Sequence, residues 1–111
     1  MQTVAHFTRT IIDTLLPGMG ISISIINEIK LPIQASYGNQ HLRFNMGRLG
    51  RKWFNQITAE TVELVLHELA HEFCEDHLSS EYHRALTSLG VKLALAAAND
   101  PSILGAVQST A

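Results

Sequence analysis

The stretch "TAETVELVLHELAHEFCEDHLSS", residues 58–80, decides how the chain is read. Val62, Val65, Leu66, Leu69, Ala70 and Phe73 recur at helical spacing and make a wide apolar face. The spacing predicts a long helix over 58–74. Thr58 is placed to cap its N-terminus, and Glu60 lies near the positive end of the helix dipole. "EDHLSS" (75–80) interrupts the pattern. Ser79 or Ser80 then caps a second helix over about 80–98. Tyr82, Ala85, Leu86, Leu89, Leu93, Ala96 and Ala97 make that helix apolar on most sides, which predicts a central place in the core. "NDP" (99–101) stops it, with room for one more helical turn before the polar tail.

Upstream, Val4, Phe7, Ile11, Ile12, Leu15 and Leu16 predict an amphipathic helix over about 2–16, ended by "PGMG". "ISISIINEIK" (21–30) begins as an Ile/Ser alternation, the mark of a half-buried strand. "LPIQASYGNQ" (31–40) reads as a turn with a short strand at 33–37. "HLRFNM" (41–46) alternates again, with Leu42, Phe44 and Met46 facing one way and His41, Arg43 and Asn45 the other. "GRLGRKWF" (47–54) reads as an irregular loop that buries Trp53 or Phe54. The expected fold is α+β in one domain, 1–111. It has a small antiparallel sheet packed against the long helix, and a second core helix beside it.

Composition narrows the function. The chain has 111 residues, 46% of them apolar and 16% charged, with a net charge of −2. Such a balance gives no global electrostatic case for nucleic acid or an anionic membrane. Cys74 is the only cysteine, so a reducing, cytoplasmic setting is expected. The first residues lack the pattern of a secretory leader. "LGVKLALAAA" (89–98) is too short to span a membrane and contains Lys92.

The chemistry lies in "HELAHEFCEDH" (67–77). Residues four apart share a helix face, so His67 and His71 can aim two imidazole nitrogens at one point. That suits two positions of a tetrahedral zinc. Glu68, one residue round, is placed to take a proton from a zinc-bound water, which is the mechanical meaning of H-E-x-x-H. A third ligand must come from beyond the helix. His77 can swing back if the chain turns near 74–76; His83, Asp76 and Glu81 are the alternatives. Cys74 is a soft ligand candidate or a small buried residue, and Asp76 a candidate to orient a ligating histidine. Tyr82 can stabilise an oxyanion or simply pack. An open fourth position would mean catalysis; a fourth protein ligand would mean a structural site.

"HELAHEFCEDH" resembles the HExxHxxGxxH signature of the metzincin clan of zinc metallopeptidases. The resemblance implies zinc held by His67, His71 and His77, and Glu68 as general base. It also implies a minimal zincin-like domain and a peptide or protein substrate. In such domains an edge strand pairs with the substrate, a role that falls to 41–46. Two positions depart from the signature. Cys74 stands where the turn glycine belongs, and Met1, Met19 and Met46 all precede the motif, so no methionine follows it. A smaller relative with HExxHxxxxxH spacing fits better. The stretch is also similar to the HxxxHxxxxxH motif of the endoribonucleases of ribosome maturation, through "EDH" (75–77). Arg43, Arg48, Arg51 and Lys52 would then meet phosphates, but that family usually lacks the glutamate after the first histidine. Finally, 76–96 resembles a C-terminal region that follows an ATP-binding module in some bacterial proteins, which implies a place in larger regulatory proteins. The expected function is zinc-dependent peptide hydrolysis. A non-catalytic zinc-binding or regulatory interaction module, or a metal-dependent endoribonuclease, is the alternative.

Overall fold

Helix α1 (Gln2–Leu15) opens the fold and supplies a large share of its core. In this computed structural model, which describes residues 2–76 and 78–108, Val4, Phe7, Ile11, Ile12 and Leu15 of α1 are all buried. Their spacing gives one continuous apolar stripe. The chain then turns through Pro17–Gly20, where Gly18 and Gly20 take positive φ values of 79° and 67°, a conformation that suits residues without a Cβ.

Three strands follow: β1 (Ser22–Ile26), β2 (Ala35–Gly38) and β3 (His41–Asn45). β2 and β3 form a hairpin closed by Asn39 and Gln40, both in the left-handed region at φ 51° and 57°. Two such residues match the twist of the flanking strands. The sheet order is β1-β3-β2. β1 runs parallel to β3, with Ile23 opposite Leu42 and Ile25 opposite Phe44. The sheet is therefore mixed, not antiparallel as expected. Alternation reports which side chains are buried, not which strand sits beside which.

A single side chain explains how the chain manages this order. Asn45, at the end of β3, is fully buried. Its Oδ1 accepts from the backbone N–H groups of Glu28 and Gly47, each at 3.0 Å. Its Nδ2 donates to the carbonyls of Glu28 at 2.9 Å and Ile33 at 3.0 Å. The connection 27–34 is thus wrapped over the end of β3, which lets β2 return on the far side. Asn45 was expected on the polar face of its strand; this connection covers it. Gly47 is part of the same closure, because a Cβ there would lie 2.6 Å from the Ile29 nitrogen.

Helix α2 (Met46–Leu49) and a 3-10 turn (Arg51–Phe54) bring an aromatic cluster under the sheet. Phe54 is buried and Trp53 half-buried. The Phe44 and Phe54 rings meet edge-on at 6.3 Å. Strand β4 (Ile57–Thr58) leads into α3 (Ala59–Leu69) and pairs in parallel with β5 (Val107–Gln108). α3 continues as a 3-10 turn, Ala70–Glu72. Helix α4 (Ser80–Asn99) is capped by Ser79, and a 3-10 turn, Pro101–Leu104, follows it.

The result is α+β, with α3 against the small sheet. Two expectations about the helices change. The α-helical part of the long helix stops at Leu69 rather than 74, and Phe73 is 55% exposed instead of joining the apolar face. α4 buries Tyr82, Leu89 and Leu93 but leaves Val91 and Leu95 at 53% and 63% exposure. It packs through one stripe, and α1 buries more apolar side chains than it does. Among the described residues, no helix is long and apolar enough to cross a membrane.

Candidate metal centre

The phase of α3 is set at its first turn. The Thr58 side chain accepts from the Thr61 N–H, and Thr61 Oγ1 accepts from the Thr58 N–H at 3.0 Å. This reciprocal cap satisfies donors that a helix start leaves open. Thr61, Val65 and Leu69 then point into the core. Glu60, Glu63, Leu64, His67 and Glu68 fall on the face that lines a cleft of about 610 Å³. Ile33, Gln34 and Ala35, which lead into β2, also line it, as do Arg48, Leu49 and Trp53.

His67 sits half-exposed on this face, its Nε2 3.9 Å from Glu68 Oε2. Glu68 itself is buried at 7% exposure. His71 lies in the 3-10 turn just beyond, its ring 5.4 Å from that of His67 and nearly perpendicular to it. His71 Nδ1 is 3.1 Å from the Cys74 carbonyl. A carbonyl oxygen can only accept, so Nδ1 is the donor, and in the neutral ring this leaves the Nε2 lone pair for a ligand. One donor atom each from His67, Glu68 and His71 lies within 4.8 Å of the others. Two imidazoles and a carboxylate converging in this way suit a first-row divalent cation. The cluster can hold a metal ion; its donors do not single out which one.

Tyr82 supports the pair from below. Its hydroxyl donates to the His67 carbonyl at 2.8 Å, and its ring lies 5.6 Å from His67 and 5.0 Å from His71. Burial first, and then the Glu68 charge, push its phenol up to about 12, so it remains a neutral donor. Of the two roles expected for Tyr82, packing is the one its contacts describe.

The remaining candidates separate. Cys74 turns its thiol to Ser79 Oγ at 3.1 Å. Asp76 staples the turn, its Oδ1 accepting from the Leu78 N–H and its carbonyl from the Ser79 hydroxyl. The orienting partner of His71 is thus the Cys74 carbonyl and not Asp76. His83 is exposed on α4, and Glu81 lines a different hollow with Phe73 and Arg84. Among the described residues, none of these four joins the His67–Glu68–His71 group. His77, the expected third ligand, lies outside the described residues.

Other features were missed from the sequence. The strand expected to receive a substrate, 41–46, is the central strand β3, with β1 and β2 occupying both its sides. The strand at the sheet edge beside the cleft is β2. The cleft-lining carboxylates Glu60 and Glu63 could have been found by projecting the helical period back from His67. A link from Tyr37 of β2 to Glu72, next to His71, joins residues too far apart in sequence to carry a local signal. No family model matches the chain, and no curated protein or solved structure is significantly similar to it.

Proposed function

We propose that the chain is a zinc-dependent hydrolase of peptide bonds. The observation that supports this most is the placing of a buried carboxylate, Glu68, beside two histidine donors on the wall of an open cleft. His67 and His71 would hold the ion, with His77 as the third ligand. Zinc bound there would acidify a water molecule and polarise a carbonyl. Glu68 takes the proton of the attacking water and later delivers it to the leaving amine. His71 is held in the ligating tautomer by the Cys74 carbonyl. The peptide adds as a strand to the exposed edge of β2, facing α3 across the cleft.

The charges of the cleft favour a peptide over RNA. Of Arg43, Arg48, Arg51 and Lys52, only Arg48 lines it, and its Nε is already given to the Leu31 carbonyl at 3.0 Å. Glu60, Glu63 and Glu68 line the same cleft and would repel a phosphate backbone. A closed, purely structural site would take Glu68 as a ligand beside the histidines, so the mechanism requires the Glu68 carboxylate to face the water and not the ion.

The test is elemental analysis of the purified protein beside His71→Ala, His77→Ala and Glu68→Gln, followed by a peptide-library cleavage assay. Wild type carries one zinc and the two histidine variants lose it. Glu68→Gln keeps the metal and loses turnover by at least 10²-fold, on the order expected for a general base. Full zinc in His77→Ala overturns that ligand; undiminished cleavage by Glu68→Gln overturns the mechanism.

A further inference from the structure

His71 occupies an awkward place for a ligand. The α-helix ends at Leu69, and His71 sits in the 3-10 turn that follows. Such turns have poorer hydrogen-bond geometry than an α-helix and fray more readily. Ala70 is buried in this turn, but Phe73 just beyond it is largely exposed and gives little further hold. Precise metal binding needs ligands held by their surroundings. The segment after Leu69 must therefore be anchored from elsewhere.

Several contacts reach this segment among the described residues. The Phe73 and Cys74 N–H groups both reach back to the Ala70 carbonyl, and the Cys74 carbonyl meets His71 Nδ1. Both of these are local and move with the turn. Tyr82 packs its ring on His71 but spends its hydroxyl on His67, one helical turn earlier. The contact from the sheet is different in kind. Tyr37, on β2, donates its hydroxyl to Glu72 Oε2 at 2.5 Å, across 35 positions of sequence. Glu72 adjoins His71, and the 3-10 turn packs on β2. Burial, and then the Glu72 carboxylate, raise the Tyr37 phenol well above its ordinary value, so it donates throughout the working pH range.

Given the metal-dependent reading above, we propose that Tyr37 and Glu72 are a positioning pair that fixes His71 against the sheet. Neither touches the metal. Tyr37 belongs to the strand that would receive the peptide, so one hydrogen bond sets both the ligand's height above the sheet and the edge strand's distance from the cleft floor. It also holds the Glu72 carboxylate on the β2 side of the turn, committed to a donor rather than to a competing ligand role. The sheet, and not the helix alone, then defines the metal geometry.

The experiment is a zinc titration against a chromophoric chelator, with thermal melts of the metal-free proteins run in parallel. The variants are Tyr37→Phe, Glu72→Ala, their double mutant, and Glu72→Gln. Tyr37→Phe and Glu72→Ala each weaken zinc binding on the order of tenfold, as loss of an outer partner of a ligand does. The double mutant is no weaker than either single, because one bond is lost in every case. Glu72→Gln, whose side-chain carbonyl still accepts from Tyr37, keeps most of the affinity. Cobalt substituted for zinc gives an independent reading, through a change of its visible spectrum in the first three variants only. Unchanged affinity in Tyr37→Phe overturns the pair, as does strict additivity in the double mutant. Lower melting points with unaltered zinc binding also overturn it, by assigning the bond to stability alone. Failure of the wild type to bind zinc overturns the metal reading and the pair together, so the two failures are distinguishable.

Discussion

Asn45 shows how much of a fold can hang on one polar side chain. It satisfies backbone groups of Glu28, Ile33 and Gly47 in a fully buried position. Leaving several such groups unpaired is expensive, at roughly 1–3 kcal/mol each when water cannot reach them. Asn45→Ala should lose about 3 kcal/mol or more of stability in urea unfolding, far more than an exposed Asn would. Gly47→Ala should be destabilised by about 1–3 kcal/mol, because backbone and not a flexible side chain stands 2.6 Å from the new methyl. Neither role was legible. The alternation of 41–46 placed Asn45 opposite Leu42 and Phe44, which is right for the strand. That the 27–34 connection returns to cover this position depends on a contact some 12 to 17 residues away. The histidines and Glu68 were legible as a group because helical spacing alone brings them together.

At the level of elements, α3 and α4 are tied by the Tyr82 hydroxyl. The His67 carbonyl is among the last four of α3, for which a helix ending at Leu69 supplies no regular partner. Tyr82 donates to it from α4. Tyr82→Phe keeps the ring and removes this bond, and should cost about 1–2 kcal/mol of stability, measured by thermal or urea melts of the metal-free protein. The start of α3 at Thr58 and of α4 after Ser79 was readable, since both caps are local chemistry. The end of α3 was not. Apolar periodicity carries on to Phe73, whereas the backbone tightens at Ala70 as the 73 and 74 N–H groups converge on one carbonyl. β4 and β5, of two residues each, carry no pattern to read.

For the whole molecule, the α+β class followed from the order of helical and alternating segments, and the six apolar residues read in the first helix are all buried. Strand order did not follow, because a central and an edge strand can share one alternation. The prominence given to α4 also failed: a helix of small and aliphatic residues can be apolar all round and still pack on one side only. A site assembled from α3, its 3-10 extension and contacts to β2 and α4 should couple metal binding to global stability. Under the proposed zinc reading, an ion at about 100-fold over its dissociation constant would add about 2.7 kcal/mol. For a chain of this size that corresponds to a rise of roughly 10–20 °C in melting temperature. Calorimetry with and without a chelator measures it; an unchanged midpoint would separate the site from the fold.

The position of β3 between its two neighbours also sets an order of assembly. The β2–β3 hairpin closes over two residues, a local event on the microsecond scale. β1 lies before the 27–34 connection and can dock only beside a strand already in place, once that connection is seated on Asn45. Non-local parallel pairing of this kind is slow to form. Pulse-labelling of refolding protein should therefore protect the amides of 35–45 before those of 22–26. The cleft edge would then exist before the sheet is complete, and a chain arrested at that point would expose the unpaired flank of β3 to other molecules, which makes late docking of β1 the stage most open to aggregation.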